Sequence, residues 1–100
     1  MGSREIVIKQ TAAENIAEIA WYIESHGLPA TAEKFTDDIY DHIIKLSDTR
    51  RSHAICREPE RALLGYKCVP YKKKYTIVFL ETETQLIVCE FTFSKSIYWH

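Results

Sequence analysis

Residues 75–93, YTIVFLETETQLIVCEFTF, decide the fold of this chain. Two nearly continuous apolar runs, 75–81 and 85–93, are rich in β-branched and aromatic side chains and flank the polar turn ETET. This pattern is typical of two strands joined by a short connection. Because polar positions are few in both runs, we predict that these strands are central in a sheet. Four side chains of the second run are expected to face the helices: Ile87, Cys89, Phe91 and Phe93.

The residues before this pair, LGYKCVPY (64–71), are predicted to form a further strand. Pro70 cannot donate a ladder hydrogen bond, so this strand should be broken or lie at a sheet edge. The run Lys72–Lys74 then connects it to the next strand, and lysines at a hairpin edge commonly prevent sheets from adding to one another.

A binding surface is the alternative interpretation of this lysine-rich connection. Successive residues of a strand point to opposite faces, so three lysines in a row cannot all line one site, and Lys72 and Lys74 are the candidates. Tyr71 and Tyr75 could stack on nucleic-acid bases, although half-buried strand tyrosines are the commoner case.

The first half of the chain predicts one strand and two helices. REIVIK (4–9) has the alternation of a short strand, and Thr11 with Glu14 has the spacing of a capping box before a helix over 12–26. Gly27 and Pro29 are suited to end this helix and begin another. Both helices carry an apolar stripe. The stripe residues are Ile16, Ile19, Ala20 and Ile23, then Ala32, Phe35, Ile39, Ile43 and Leu46.

The resulting order is β-α-α-β-β-β. It predicts a single α+β domain over residues 1–100, in which a helical hairpin packs on one face of a twisted antiparallel sheet. Residues 47–61 show no clear period and are predicted to be a loop with at most one short turn.

Composition favours an ordinary globular protein. The chain is 46% hydrophobic and 27% charged, which argues against disorder, and no apolar run reaches the roughly 20 residues of a membrane span. The cysteines Cys56, Cys68 and Cys89 have no metal-binding spacing, so we expect neither a metal nor a cofactor, and three free thiols in a reducing cytoplasm. Cys68 and Cys89 are predicted two strands apart, beyond disulfide reach.

Charge is distributed unevenly along the chain. Residues 1–45 carry a net charge of −4 and residues 46–100 one of +3, with +6 between Arg50 and Lys74. A concentrated charge of this kind can steer an anionic partner. We expect the cationic side chains of the second half to gather on one exposed side of the sheet, while the acidic helices cover the other.

The chain resembles the RelE/ParE superfamily of bacterial toxins, the plasmid stabilisation proteins of type II toxin–antitoxin systems. The resemblance lies in AAENIAEIAWYIESHGLPATAEKF and in LGYKCVPYKKKYTIVFLETETQLIVCEF, where a Leu-Gly step leads into a basic strand and a Tyr-initiated apolar strand. It implies a growth-inhibiting toxin that a cognate antitoxin neutralises. Four arginines would then anchor antitoxin carboxylates, unless they form an ordinary exposed loop. They are Arg50, Arg51, Arg57 and Arg61.

The resemblance implies one of two activities. ParE-like members poison DNA gyrase, whereas RelE-like members cut mRNA on the ribosome without metal, which requires a base, an acid and cations around the phosphate. The Arg that follows the Tyr of the third strand in RelE-like nucleases is replaced by Thr76, which offers no bidentate phosphate clamp. The candidate nuclease residues are Lys67, Lys95, Tyr98 and His100.

The missing clamp favours recognition over cleavage. The leading hypothesis is a ParE-like toxin subunit that binds an antitoxin and, when free, gyrase or another target. One alternative is ribosome-dependent mRNA cleavage, with Arg57 or Arg61 replacing the clamp. The other is an inactive family member that serves as an interaction module.

Overall fold

The computed structural model describes residues 4–48 and 53–94. Its elements are β1 (Glu5–Ile8), α1 (Gln10–Ser25), α2 (Pro29–Leu46), α3 (Pro59–Leu63), β2 (Lys67–Tyr71), β3 (Tyr75–Glu81) and β4 (Gln85–Phe93). The predicted α+β class and element order are confirmed, and the five-residue α3 begins within the predicted loop and ends two residues beyond it. Five candidate site residues fall outside the described residues: Arg50, Arg51, Lys95, Tyr98 and His100.

The four strands form one mixed sheet in the order β1-β4-β3-β2. β2, β3 and β4 pair antiparallel, as predicted, but β1 runs parallel to β4. α2 brings the chain back to the end of the sheet where β1 begins, and there the Arg4 N–H donates to the Ser47 carbonyl at 2.8 Å. β2 starts from the same end, so β2 and, two antiparallel steps later, β4 run in the direction of β1.

The main core lies between the helical hairpin and one face of the sheet. Apolar side chains at helical spacing turn towards this face because burying each one stabilises the fold by about 1.5–3 kcal/mol. The predicted stripe of α2 is confirmed: Ala32, Ile39, Ile43 and Leu46 are buried and Phe35 packs against the same core. From α1, Ile16 is buried in this core and the partly buried Ile19 packs against the core. From the sheet come Ile77, Phe79, Leu86, Val88 and Phe91.

A bulge in β4 corrects the predicted facing of that strand. Val78 pairs with Glu90 but Phe79 pairs with Val88, which leaves Cys89 as an extra residue on β4. Phe91 faces the helices as predicted, whereas the expectation for Ile87 and Cys89 is wrong. An alternating pattern cannot reveal where a residue is inserted, so the facing changes unseen at the bulge.

The predicted capping box is also wrong. α1 begins at Gln10 with Lys9 as its N-cap and no side-chain cap, so Thr11 lies inside the first turn. The Lys9 N–H still donates to the Val88 carbonyl at 2.9 Å, and the helix therefore starts directly after the strand. Instead of a capping box, the Gln10 side-chain amide donates to Glu14 at 3.0 Å.

The expectation of three free thiols is wrong as well. Cys56 and Cys68 form a disulfide with Cα atoms 4.8 Å apart, while Cys89 is free and buried. The pairing arises because residues 54–56 run antiparallel beside the start of β2, where Ile55 pairs with Lys67. Pro70 lies farther along β2, the last strand in the order of the sheet. Its lack of an N–H donor is tolerated there, which agrees with its predicted edge position.

The β2–β3 connection contains two lysines in an unfavourable backbone conformation. Lys72 and Lys73 have φ angles of 52° and 64°, a region that side chains with a Cβ enter at a cost of roughly 1–2 kcal/mol. The backbone conformation of these two lysines therefore lowers the stability of the fold.

Lys73→Gly should raise the free energy of unfolding by about 0.5–1 kcal/mol. Glycine has no Cβ and therefore adopts a positive φ without steric strain. Part of this stabilisation is offset because glycine has more conformational entropy in the unfolded chain. Urea denaturation measures the change. Lys74→Gly is the matched control, since Lys74 is not among the described residues with positive φ, and it should be neutral or destabilising. Equal effects of the two substitutions would contradict the prediction.

None of the helices in the described part of the chain combines the length and apolar character needed to cross a bilayer.

Candidate functional site

A groove runs between the C-terminal half of α1 and the adjoining ends of β3 and β4. Its volume is about 600 Å³, within the range of ligand-binding clefts. A second depression of about 290 Å³ continues it along the β2–β3 connection, and Lys74 and Phe93 line both parts. We call the whole the aromatic groove. The remaining residues of its larger part are Glu18, Ile19, Tyr22, Ile23 and Tyr75.

Packed aromatic rings form the floor of the aromatic groove. Tyr75 stacks on Phe91 with ring centroids 5.0 Å apart and meets Phe93 at 5.4 Å, while Phe35 of α2 contacts its edge at 5.7 Å. Each such pair contributes about 0.5–1.5 kcal/mol beyond its buried area. Burial raises the pKa of Tyr75. The floor is closely packed and apolar.

The rim of the groove exposes large aromatic side chains. Tyr22 and Phe93, which line it, are 60% and 40% exposed. Tyr22 is partly fixed by the His26 ring, with centroids 4.3 Å apart. Exposed aromatic residues around a concave apolar surface are typical of protein-binding sites.

The charges near the groove come from its two walls. Lys74 contributes a cation from the β side and Glu18 a carboxylate from α1. Lys72 is engaged elsewhere, with Nζ 3.6 Å from Asp38 and 5.5 Å from the Tyr71 ring centroid. Hydrogen bonding to Lys34, and less strongly Lys72, lowers the pKa of Asp38. Of the two candidate lysines, Lys74 alone therefore lines the groove.

The two candidate stacking tyrosines have different surroundings. Tyr71 is buried in the main core and its ring lies 4.9 Å from the His42 ring, so it presents no face to a base. Tyr75 is also buried, but one side of it lines the groove.

Of the four candidate nuclease residues, Lys67 alone lies in the described part of the chain. Lys67 pairs with Phe79, so its side chain lies on the face of the sheet that the helical hairpin covers. There its Nζ donates to the His53 carbonyl at 2.9 Å. Thr76 lies on the opposite face, fully buried, with its hydroxyl 3.0 Å from that of Ser94. Neither side chain is placed to contact a phosphate.

The described arginines do not form a free cationic surface. Arg61 binds both carboxylate oxygens of Glu90, the shortest contact being 2.9 Å, and also contacts Glu58. Hydrogen bonding to Glu90 raises the pKa of Arg61. Arg57 is exposed. Arg61 therefore cannot anchor a partner's carboxylate while Glu90 occupies it.

The expected gathering of cations on one side of the sheet does not occur among residues 4–48 and 53–94. Lys67 lies on the hairpin face, whereas Arg61 reaches Glu90 on the other face. The lysines of the β2–β3 connection lie at the far end of the sheet from Lys67. Carboxylates of the same chain hold two of these cations apart: Glu90 binds Arg61 and Asp38 binds Lys72.

Sequence reasoning missed a buried polar cluster at the other end of the sheet. Glu81 accepts a hydrogen bond from His53 Nδ1 at 2.9 Å and lies 3.4 Å from Arg4 Nη1. Arg4 Nε also donates to the Thr82 carbonyl at 2.7 Å. The three side chains are at most 15% exposed. No local signal reveals this cluster, because its members lie far apart in the sequence.

Within the described ranges, no three His, Cys, Asp or Glu side chains lie close enough together to hold a metal ion. A scan against protein-family models finds no match for the chain, and a search among curated proteins finds no similar sequence. The likeness to RelE/ParE toxins thus stays a resemblance of element order and residue pattern.

Proposed function

We propose that this chain is the toxin component of a type II toxin–antitoxin module in the bacterial cytoplasm, and that its aromatic groove binds a segment of the antitoxin. The observation that carries this proposal is the exposure of Tyr22 and Phe93 beside a closely packed apolar floor. Tyr and Trp are the residue types that most often dominate binding energy at protein interfaces.

The partner segment is proposed to be an amphipathic helix with large aliphatic side chains and nearby carboxylates. Its apolar side would cover the groove, in the manner of other helix-in-groove complexes. Its carboxylates would meet Lys74 and the neighbouring Lys73, which lines the smaller depression. The low net charge of the chain, −1, leaves this local cationic end as the feature that orients the partner.

A ParE-like mode of action, in which the free toxin binds gyrase or another protein, fits this surface better than RNA cleavage does. A nuclease needs its acid, base and cations around one phosphate. Lys67 and Thr76 lie on opposite faces of the sheet and are both engaged with groups of this chain. The preference for a binding mechanism rests on the buried Thr76 in place of the phosphate-clamping arginine and on the engagement of Lys67 with the His53 carbonyl.

Induced expression of the full chain in a bacterium is expected to stop growth, and co-expression of a small acidic protein encoded beside its gene is expected to restore it. Primer extension on translated messages in the arrested cells should show intact mRNA. Normal growth despite abundant folded protein would contradict the toxin proposal, and discrete cuts in mRNA would contradict the binding mechanism.

A further inference from the structure

The segment between the two bonded cysteines is fixed to the sheet by few contacts of its own. Residues 57–65, which we call the α3 flap, lie on the face opposite the helical hairpin. α3 has no buried residue, and Leu63 at its end is 88% exposed. The main side-chain contact between the flap and the sheet is the ion pair of Arg61 with Glu90, which is only partly buried. The pair is bidentate, so its contribution lies towards the upper end of the roughly 0–1 kcal/mol typical of solvent-accessible ion pairs.

The disulfide closes the base of this flap. Cys56 and Cys68 are 12 positions apart and are both buried, in a small cluster with Val78 and the partly buried Tyr66. The adjoining backbone contact is the bond from Cys56 N–H to the Tyr66 carbonyl, 2.9 Å long. A disulfide that closes a short loop lowers the conformational entropy that the loop would gain on leaving the sheet. The disulfide is thus the strongest restraint on the flap.

We propose that the Cys56–Cys68 disulfide is a redox latch, and that its reduction lets the α3 flap leave the sheet. A thiolate of a dithiol reductant attacks one Sγ, the Sγ–Sγ bond breaks, and the reductant's second thiol resolves the mixed disulfide. The reductant leaves as a disulfide, having supplied two electrons, and both cysteines become thiols. Dithiols of this class maintain reducing compartments, where protein disulfides are usually transient or redox-sensing.

Opening the flap changes the surface that the protein presents. It releases Arg61 from Glu90. A cation and a carboxylate thereby become available to a partner in the reduced form alone. The aromatic groove lies on the other face, so the latch operates whether or not the proposed toxin function is correct. Cys89 takes no part, because it is a free cysteine on β4 and does not belong to the disulfide.

Hydrogen exchange of the full chain, oxidised with glutathione disulfide or reduced with dithiothreitol, tests the latch. The amides of Ala62, Leu64 and Gly65, which are hydrogen-bonded in the flap, should exchange about ten- to one-hundredfold faster after reduction. Amides of β3 and β4 should keep their rates. Equal flap rates in both states would overturn the proposal, and so would a parallel acceleration in β3, because the disulfide would then stabilise the whole fold.

Cysteine variants separate the latch from general effects of the reductant. Cys56→Ser combined with Cys68→Ser should show fast flap exchange with or without dithiothreitol, while Cys89→Ser should keep the wild-type redox response. Slow flap exchange in the folded double variant would refute the latch. If circular dichroism shows that the double variant is unfolded, the redox comparison on the wild-type chain decides the question alone.

Discussion

Glu81→Gln is expected to lower the free energy of unfolding by about 3 kcal/mol, the largest single-residue effect on stability that the charged groups of this fold suggest. Glu81 is the shared acceptor of His53 and Arg4 at the end of β3. The substitution keeps the shape of the side chain but removes its charge, so the guanidinium of Arg4 is left mostly buried without a counter-ion. A buried charge that loses its partner costs much more than the pair itself contributes.

Urea denaturation of the purified protein measures this effect as a shift of the midpoint at unchanged slope. Glu83→Gln is the matched control, since Glu83 lies two residues away and is exposed, and its effect should stay within about 0.5 kcal/mol. If both substitutions shift the midpoint equally, the cluster does not carry the stability that its geometry suggests.

Tyr22→Ala combined with Phe93→Ala should weaken binding of the proposed antitoxin at least about 30-fold, the value that corresponds to 2 kcal/mol for the loss of interface hot spots. Both side chains line the aromatic groove and are exposed, so their truncation removes contact area for the partner, and within the fold it removes the ring contact of Phe93 with Tyr75. Isothermal titration calorimetry with the acidic protein encoded beside the gene provides the measurement.

Leu63→Ala is the matched control for this loss of binding. Leu63 is another exposed apolar side chain, but it lies on α3, away from the groove. Its truncation should change the affinity less than about twofold, because contacts outside the interface centre contribute little. Comparable losses for Leu63→Ala and the groove variant would show that the partner binds elsewhere.

Local patterns predicted much of this fold. The α2 stripe from Ala32 to Leu46 could be read because a helix repeats its buried face every three to four residues. The edge position of β2 could be predicted from Pro70, because proline has no backbone N–H to donate to a neighbouring strand. Each of these signals lies within a few residues of the structure that it predicts.

Long-range pairing produced the features that the sequence did not reveal. The Cys56–Cys68 bond depends on residues 54–56 running beside β2, and the segment that contains them has no period. The direction of β1 depends on where α2 ends. The bulge at Cys89 depends on the partner strand. A pattern within one strand or helix contains none of this information.

The candidate site shows the same division. Tyr75 was a candidate and does line the groove, whereas Tyr22 and Phe93 were not candidates for binding because their positions look like ordinary helix and strand residues. Their role depends on how α1 crosses the ends of β3 and β4. The lysines and arginines stood out in the sequence, yet Arg61 and Lys72 bind carboxylates of this chain. Charge is visible along a chain, but its neutralisation is visible only in three dimensions.

The aromatic groove is the surface that we propose a protein partner covers. Titration of the isotope-labelled chain with the acidic protein encoded beside its gene, followed by amide chemical shifts, tests this directly. We expect the largest shifts in residues 18–23, at Lys74 and Tyr75, and at Phe93. Shifts concentrated instead around Lys67 and His53, or on the α3 flap, would contradict the account.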